Sequence, residues 1–374
     1  MGVEVGLDVR EVLARFGFTR LASVKPHGGG HINASYRVEG PGPGGPGEYL
    51  LQRLNPAVFR DPGAVMRNMA RVTEHLASSL ASLRLPDAER RVLRLFSALN
   101  GEIAVQAADG ATWRLVRFIP ETRTIDTVVD PQEAREVGAA FGMFHRLVAQ
   151  WPGEPLETSL ADFHHAPSRL VEFEETLRRN PAGRVGSVAS EIGFVRTRHA
   201  AAESLTELLA GRSIPTRIVH NDAKPSNVLL DAESGQGLAV VDLDTVMMGT
   251  VLHDVGDLIR SASSSAGEDE ADLARVQVEP ELFLAWTSGF LSAGGKGILN
   301  EEELRFFVPA GLLITYEQGV RFLTDHLAGD TYYRISRPGQ NLDRARVQFR
   351  LLTSLESLQA DLERTLRDLT RSLW

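Results

Sequence analysis

The spacing of the apolar residues changes near Pro120, and this change limits the folds that the chain can adopt. From about residue 20 to 119 the apolar residues occur in short runs separated by Gly, Pro and Asn, a pattern typical of β-strands. Beyond Pro120 they mostly recur at helical spacing. The sequence therefore predicts an α+β fold with two lobes, a small antiparallel β-sheet lobe with one helix at 1–119 and a larger, mainly helical lobe at 120–374.

The small lobe is predicted to contain five strands and one helix between them. The strands are expected at 34–39, 48–54, 91–96, 102–107 and 112–119. Asp61 followed by Pro62 is a typical helix start, because aspartate caps the first turn and proline fits its first position. The segment GPGPGGPG between the first two strands is expected to be a loop without regular structure.

The large lobe is predicted to be helical around a short hairpin. Asp130 and Pro131 begin one helix, and further helices are expected at 188–210, 279–292, 301–327 and 342–372. Three short apolar stretches at 217–220, 227–231 and 237–244 interrupt this pattern. Their length and composition predict a small buried β-hairpin.

The sequence HNDAKPSN places polar residues directly after an apolar pair. His220, Asp222 and Asn227 fit the spacing HxDxxxxN, and Asp242 follows 15 residues after Asn227. Phosphoryl transfer from ATP needs one carboxylate to accept the proton of the attacking hydroxyl, and an amide and a second carboxylate to hold Mg²⁺. Each residue alone is compatible with an ordinary turn. Together they predict a phosphotransferase.

Two other segments are expected to contact the nucleotide. Gly28, Gly29 and Gly30 precede a predicted strand, and a glycine-rich turn lets backbone N–H groups approach phosphates. The end of the last strand of the small lobe is expected to lie beside ATP; its residues are Arg117, Phe118 and Ile119.

The chain resembles the aminoglycoside phosphotransferase and choline kinase superfamily, and within it the N-acetylhexosamine 1-kinases. The blocks that carry the resemblance lie between about residues 28 and 350 and are GGHINASYRV, EYLLQRLN, HNDAKPSNVLLD, VVDLDTVMMG, HDVGD and YEQGVRFLTDHLAGDTYY. The resemblance implies a bilobal protein-kinase-like fold, the cofactors ATP and Mg²⁺, and a small-molecule sugar as partner. It also implies transfer of the γ-phosphate to the anomeric hydroxyl of N-acetylglucosamine or N-acetylgalactosamine.

The resemblance also assigns roles to residues. It implies that Asp222 is the catalytic base and that Asn227 and Asp242 hold Mg²⁺. The expected sugar-binding residues are His31, Asn33, Asp222, Thr245, Arg321 and Tyr332. Asp244 would face the same way as Asp242 in a strand, so it is a candidate for supporting either the metal or the sugar.

The phosphate-binding cation departs from the kinase pattern. Kinases carry a lysine on the third strand that contacts the α- and β-phosphates, but here the strand reads LLQRL. Arg53 is the expected replacement, since its guanidinium can bind phosphate, and Gln52 is the alternative. Glu74 is one candidate for the acidic partner of that cation.

Composition excludes several classes of partner. The 374 residues contain 40 Lys and Arg against 49 Asp and Glu, a net charge of −9, and no cysteine. A nucleic-acid or anionic membrane surface would require excess positive charge, and thiolate metal sites are excluded. No apolar stretch reaches the ~18 residues of a membrane span, and no signal peptide is recognisable. A cytoplasmic protein is expected, whose oligomeric state the sequence leaves open.

The sequence disfavours three other functions. A protein kinase is disfavoured because residues 243–253 leave no room for an activation segment, and no DFG or APE motif is present. An aminoglycoside or homoserine-type kinase is the second alternative; it is disfavoured because the segment where a polycation would require carboxylates offers Arg321, His326 and Tyr332. A nucleotide-binding pseudokinase scaffold would have no need for the base Asp222.

Overall fold

The computed structural model describes residues 7–28, 32–85, 87–211 and 213–374, with the backbone alone of Leu7 and Asp8. The chain forms two compact units. The first consists of residues up to 122 together with 156–160 and 241–246, and the second of 123–155, 161–240 and 247–374.

The first unit is built on an antiparallel sheet. Its elements are α1 (Leu7–Arg15), β1 (Ser23–Pro26), β2 (Ala34–Gly42), β3 (Gly45–Arg53), α2 (Pro62–Ser82), β4 (Leu95–Phe96), β5 (Val105–Gln106) and β6 (Thr112–Arg117). The strand order is β1-β2-β3-β6-β4, and β5 also pairs with β6. This confirms the predicted antiparallel sheet, with two differences. Strand β1 was not predicted, and the strands expected at 91–96 and 102–107 are reduced to two residues each.

The Pro-Gly segment between β2 and β3 is a tight hairpin, so the expectation of an irregular loop was wrong. The ladder continues through Pro41 opposite Pro46 to Gly42 opposite Gly45. A side chain at Gly42 would overlap the rings of Phe18 and Tyr49. Glycine is therefore required because the hairpin packs directly on aromatic rings.

The sheet is covered by a helix that begins where the sequence predicted. Asp61 accepts a hydrogen bond from the Ala64 backbone N–H at 2.9 Å and caps α2. Val65, Met69 and Leu76 on α2 are buried. Burial of this apolar face fixes α2 in the first unit.

The second unit is mainly helical. Its helices are α3 (Pro131–Val148), α4 (Ala166–Arg179), α5 (Ala189–Leu209), α6 (Val251–Ala262), α7 (Pro280–Gly294), α8 (Glu301–Arg305), α9 (Phe307–Ala328) and α10 (Gln340–Leu373). Its strands are β8 (Arg217–Val219), β9 (Val228–Asp231), β10 (Gly237–Val240) and β11 (Met247–Gly249). The two residues of β7 (Thr122–Arg123) are the last of one residue range and the first of the next in the division into units. The predicted helical character is confirmed, although α4 and α6 were missed. The predicted hairpin is formed by β9 and β10, whereas β8 pairs with β11 instead.

Helices α3 and α7 pack closely because glycine lies at their contact. A side chain at Gly142 would overlap the Phe290 carbonyl, and one at Gly138 would overlap the Trp286 carbonyl. Replacing these glycines would push the two helices apart.

Among the helices described, none has both the length and the apolar character needed to cross a membrane.

Candidate active site

The loop after β8 carries the HxDxxxxN residues. A buried carboxylate holds the backbone of this loop in place. Asp254, at the first turn of α6, is fully buried and accepts hydrogen bonds from the His220 and Asn221 backbone N–H groups at 2.8 and 2.6 Å. His145 Nε2 lies 2.8 Å from the same carboxylate. Burial would raise the pKa of Asp254, but His145 and His220 lower it below its usual value. A charged Asp254 therefore holds this loop in place.

Asp222 lies between two nitrogen donors. Lys224 Nζ is 2.8 Å from Asp222 Oδ2, and the amide nitrogen of Asn227 donates to the same oxygen at 2.9 Å. Burial alone would raise the pKa of Asp222, but Lys224, His220 and Asn227 hold it well below its usual range. The carboxylate is therefore deprotonated at neutral pH, as a base must be.

Asn227 is oriented by the same contacts. Its Nδ2 donates to both the carbonyl and the carboxylate of Asp222, at 2.8 and 2.9 Å. Because both bonds use the amide nitrogen, the amide oxygen is directed to the opposite side. That oxygen is the atom suited to a hard cation such as Mg²⁺.

Arg321, on α9, lies among aromatic rings. Its guanidinium carbon is 5.3 Å from the ring centre of Phe163, 5.9 Å from Tyr332 and 5.7 Å from Tyr333. No carboxylate in the described part of the chain forms an ion pair with it. Burial would lower the pKa of Arg321, but Tyr333, Tyr332, Glu317 and Asp222 raise it above its usual value. The result is a positive charge beside aromatic rings that forms no ion pair with a described carboxylate.

The loop that carries Tyr332 and Tyr333 is held by one carboxylate. Asp325, which is 5% exposed, accepts hydrogen bonds from the backbone N–H groups of Thr331, Tyr332 and Tyr333 at 2.8, 2.8 and 2.9 Å. Asn341 Nδ2 donates to it at 2.9 Å. Asp325 therefore determines where the two tyrosine rings stand beside Arg321.

A pair of histidines also supports the loop that carries the HxDxxxxN residues. His164 Nε2 bonds to the Asn221 carbonyl at 2.8 Å, and its ring lies 4.8 Å from that of His253. Burial would lower the pKa of His164, but Glu317 and Asn221 raise it. Burial, with His164, lowers the pKa of His253 to about 3. A neutral His253 beside a more basic His164 avoids two adjacent positive charges.

In the first unit, predicted residues from distant positions meet. Asn33 Nδ2 donates to Asp244 Oδ2 at 2.5 Å, and the buried Arg114 forms an ion pair with the other oxygen of Asp244. Asp242 has a positive φ of 60°, which is uncommon for a non-glycine residue and typical of functional turns. Thr245, in the turn that follows Asp242, is 8% exposed.

The residues predicted to contact the nucleotide differ from one another in exposure and in the side chains that they contact. Gly28 has a φ of +73°, whereas Gly29, Gly30 and His31 lie outside the described residues. Arg117 lies 3.7 Å from the exposed Glu89, the Phe118 ring stacks under Arg37 at 4.3 Å, and Ile119 is 5% exposed.

Arg53, the expected phosphate-binding cation, is directed elsewhere. Its guanidinium forms an ion pair of 2.9 Å with Asp109, and both side chains are largely exposed, at 38% and 50%. Successive residues of a strand face opposite sides of the sheet, so Arg53 and Gln52 point in opposite directions.

Within the residues that the structure describes, no three His, Cys, Asp or Glu side chains are grouped as a metal site. Asn227, in the second unit, and Asp242, in the first, stay predicted Mg²⁺ ligands; their side chains offer the hard oxygen donors that Mg²⁺ prefers.

Sequence reasoning missed several residues that organise these groups. Asp254 and Asp325 are separated from the loops that they hold, and their roles depend on tertiary contacts. Asp254 had one available signal, because the block HDVGD follows closely on Asp242. Lys224 lies within the HxDxxxxN block itself and was given no role.

A sequence profile of the phosphotransferase enzyme family matches residues 23–282, well over half of the chain. Solved structures of several such enzymes are similar to this one. A microcompartment-associated aminopropanol kinase aligns with a TM-score of 0.63 at 15% identity, covering 95% of this chain and 98% of the other. A spectinomycin phosphotransferase, solved with ADP and spectinomycin, aligns at 0.58 and 12% identity, covering 94% and 98%.

An aminoglycoside phosphotransferase from Alicyclobacillus acidocaldarius subsp. acidocaldarius aligns at a TM-score of 0.55 with 15% identity, covering 99% of this chain and 98% of the other. At these identities the likeness concerns the fold. The shared fold is the protein-kinase-like combination of an antiparallel sheet and a helical region that the sequence predicts.

Proposed function

Because the chain belongs to the phosphotransferase enzyme family, we propose that it transfers the γ-phosphoryl group of ATP to the anomeric hydroxyl of an N-acetylhexosamine, yielding the sugar 1-phosphate. In this proposal residues 1–119 bind the nucleotide and residues 120–374 supply the catalytic loop and most of the acceptor pocket. Asp222 is the catalytic base. Bound Mg²⁺, with Asn227 and Asp242 as ligands, would neutralise the phosphate charge.

The surroundings of Asp222 support its assignment as base. A hydroxyl that approaches Asp222 can donate its hydrogen bond to the carboxylate and transfer its proton as the oxygen attacks phosphorus. Lys224, 2.8 Å from Asp222, keeps the carboxylate charged. Its ammonium also places positive charge where the transferring phosphoryl group gathers negative charge.

The main support for the proposed class of acceptor is the group of aromatic rings around Arg321. This guanidinium has no ion pair with a described carboxylate, and Asp222 contributes to its raised pKa, so the two side chains are close enough to influence each other. A cationic acceptor would meet this positive charge on its way to the base and would be repelled. A neutral polyol can instead accept hydrogen bonds from the guanidinium while an apolar face stacks on a tyrosine ring.

The remaining sugar-binding assignments are part of the same proposal. His31, Thr245, Arg321 and Tyr332 are proposed to contact the hydroxyl and acetamido groups. The hydrogen bond between Asn33 and Asp244 supports a joint role for these two.

The test is ADP release and phosphorus NMR of the product with a panel of acceptors. N-acetylglucosamine and N-acetylgalactosamine are the expected substrates. Glucosamine is the matched control, since it differs by a cationic amine in place of the neutral amide; ethanolamine, homoserine and an aminoglycoside complete the panel. A 1-phosphate formed from the N-acetyl sugars, with glucosamine turned over at least tenfold less efficiently, is the expected result. Preferred turnover of an amine would overturn the acceptor assignment, and a 6-phosphate would overturn the anomeric position.

A further inference from the structure

Strand β3 does not direct a cation toward the face of the sheet on which α2 packs. Gln52 has that orientation, and its Nε2 donates to Ser35 Oγ at 3.0 Å. Arg53 faces the other side and pairs with the exposed Asp109. Neither residue supplies the positive charge that a kinase strand normally offers to the nucleotide phosphates.

A cation with that orientation lies on the adjacent strand. Arg114 of β6 is paired directly with Gln52 in the β-ladder, and its Nε donates to Gln52 Oε1 at 2.9 Å. Its side chain is 1% exposed. Nη1 contacts Asp244 and lies 3.3 Å from the sulfur of Met69 on α2. The guanidinium thus occupies the position that a lysine at residue 52 would extend toward.

The acidic partner of this cation also comes from a different segment of the chain than the sequence predicted. Glu74 on α2, the expected partner of the cation, is exposed. The carboxylate that meets Arg114 belongs to Asp244, which is 3% exposed and follows the proposed metal ligand Asp242 by two residues. A buried ion pair adds little stability compared with apolar side chains of the same volume, so this pair calls for a role other than stability.

We propose that Arg114 is the cation that binds the α- and β-phosphates of the nucleotide, with Asp244 and Gln52 holding its guanidinium in place. Nε and Nη1 are engaged by these neighbours, whereas Nη2 makes no hydrogen bond to a residue in the described ranges. Nη2 is therefore the guanidinium nitrogen that is left to donate to a phosphate oxygen. This inference rests on the phosphotransferase activity and is independent of the acceptor.

The experiment compares the binding of ADP and adenosine by calorimetry, without any acceptor, in the wild type and in Arg114→Gln. A charge-assisted contact to phosphate contributes to ADP binding only, so the ADP affinity is expected to fall roughly 10- to 100-fold while the adenosine affinity changes less than about twofold. Arg53→Gln is the matched control in the same sheet, and we expect it to leave both affinities unchanged. Adding Gln52→Lys to Arg114→Gln should restore part of the ADP affinity.

Equal loss of ADP and adenosine affinity in a folded Arg114→Gln variant would show a purely structural role and overturn the proposal, as would no loss of either. If that variant does not fold, the wild type provides the test. The Arg114 Nε–H resonance, assigned by its absence in Arg114→Lys, should shift when ADP is added and stay in place with adenosine. A resonance unmoved by ADP would also overturn the proposal. Failure of the sugar panel leaves this test unaffected.

Discussion

Replacing Asp325 by asparagine should release the loop that carries Tyr332 and Tyr333 from the proposed acceptor site. Oδ1 of Asp325 accepts from the Thr331 and Tyr332 backbone N–H groups, and Oδ2 accepts from Tyr333 N–H and Asn341 Nδ2. An amide has one oxygen and one NH₂ group. Whichever way it is oriented, two of the four donors then face another donor.

The size of the effect follows from these bonds. A hydrogen bond to a charged acceptor contributes about 1.5–3 kcal/mol, so losing two removes roughly 3–6 kcal/mol of support for the loop. The backbone N–H groups can regain hydrogen bonds to water if the loop opens. We therefore expect Tyr332 and Tyr333 to leave Arg321, and the KM for the acceptor to rise at least tenfold.

The assay measures the KM for acceptor and for ATP separately, with the thermal unfolding midpoint as a check on folding. The ATP KM should change less than about twofold, since Asp325 contacts no residue proposed to bind nucleotide. Asp361→Asn is the matched control, because Asp361 forms an exposed pair with Arg364 on α10 and such pairs contribute under ~1 kcal/mol. An unchanged acceptor KM in a folded variant, or equal rises in both KM values, would refute the reasoning.

Four further changes test the catalytic loop and the packing. Asp222→Ala should lower kcat roughly 100- to 10,000-fold with nucleotide affinity retained; turnover near the wild-type rate would remove the base assignment. Lys224→Met removes the charge that lowers the pKa of Asp222, so that pKa rises and the acidic limb of the kcat/KM profile should move to higher pH; an unmoved limb contradicts this. Asp242→Ala should abolish the Mg²⁺ dependence of nucleotide binding, as followed in a Mg²⁺ titration. Gly142→Ala overlaps the Phe290 carbonyl and should destabilise the protein by about 1–3 kcal/mol in urea unfolding; wild-type stability would mean that α3 and α7 separate without cost.

Local sequence signals determined the class of fold and the main elements. Asp61 with Pro62 and Asp130 with Pro131 are the starts of α2 and α3 in the structure, and the aspartates cap both helices. Such signals act within a few residues, so they can be read without tertiary contacts. The hairpin at the Pro-Gly segment was misjudged because its glycines are required by contact with Phe18 and Tyr49, which the local pattern does not reveal.

The spacing HxDxxxxN also identified Asp222 and Asn227 as neighbours, and the two side chains are hydrogen-bonded. Their separation of five residues is spanned by a short loop and one 3-10 turn, Pro225–Asn227, so the chain itself brings them together. Arg53 was selected over Gln52 from side-chain chemistry alone. The orientation of the strand and the partner Asp109 were needed to see that Arg53 points outward.

The sequence by itself determined the class of fold, the starts of α2 and α3, which loop carries the proposed base, and that no cysteine thiolate is present. Only the tertiary structure decided how the buried charges are matched. Arg114 meets Asp244 across 130 positions, and Asp254 holds the backbone of residues more than 30 positions earlier. A buried charge must find its partner wherever the fold places one, and that partner leaves no trace in the local pattern of either segment.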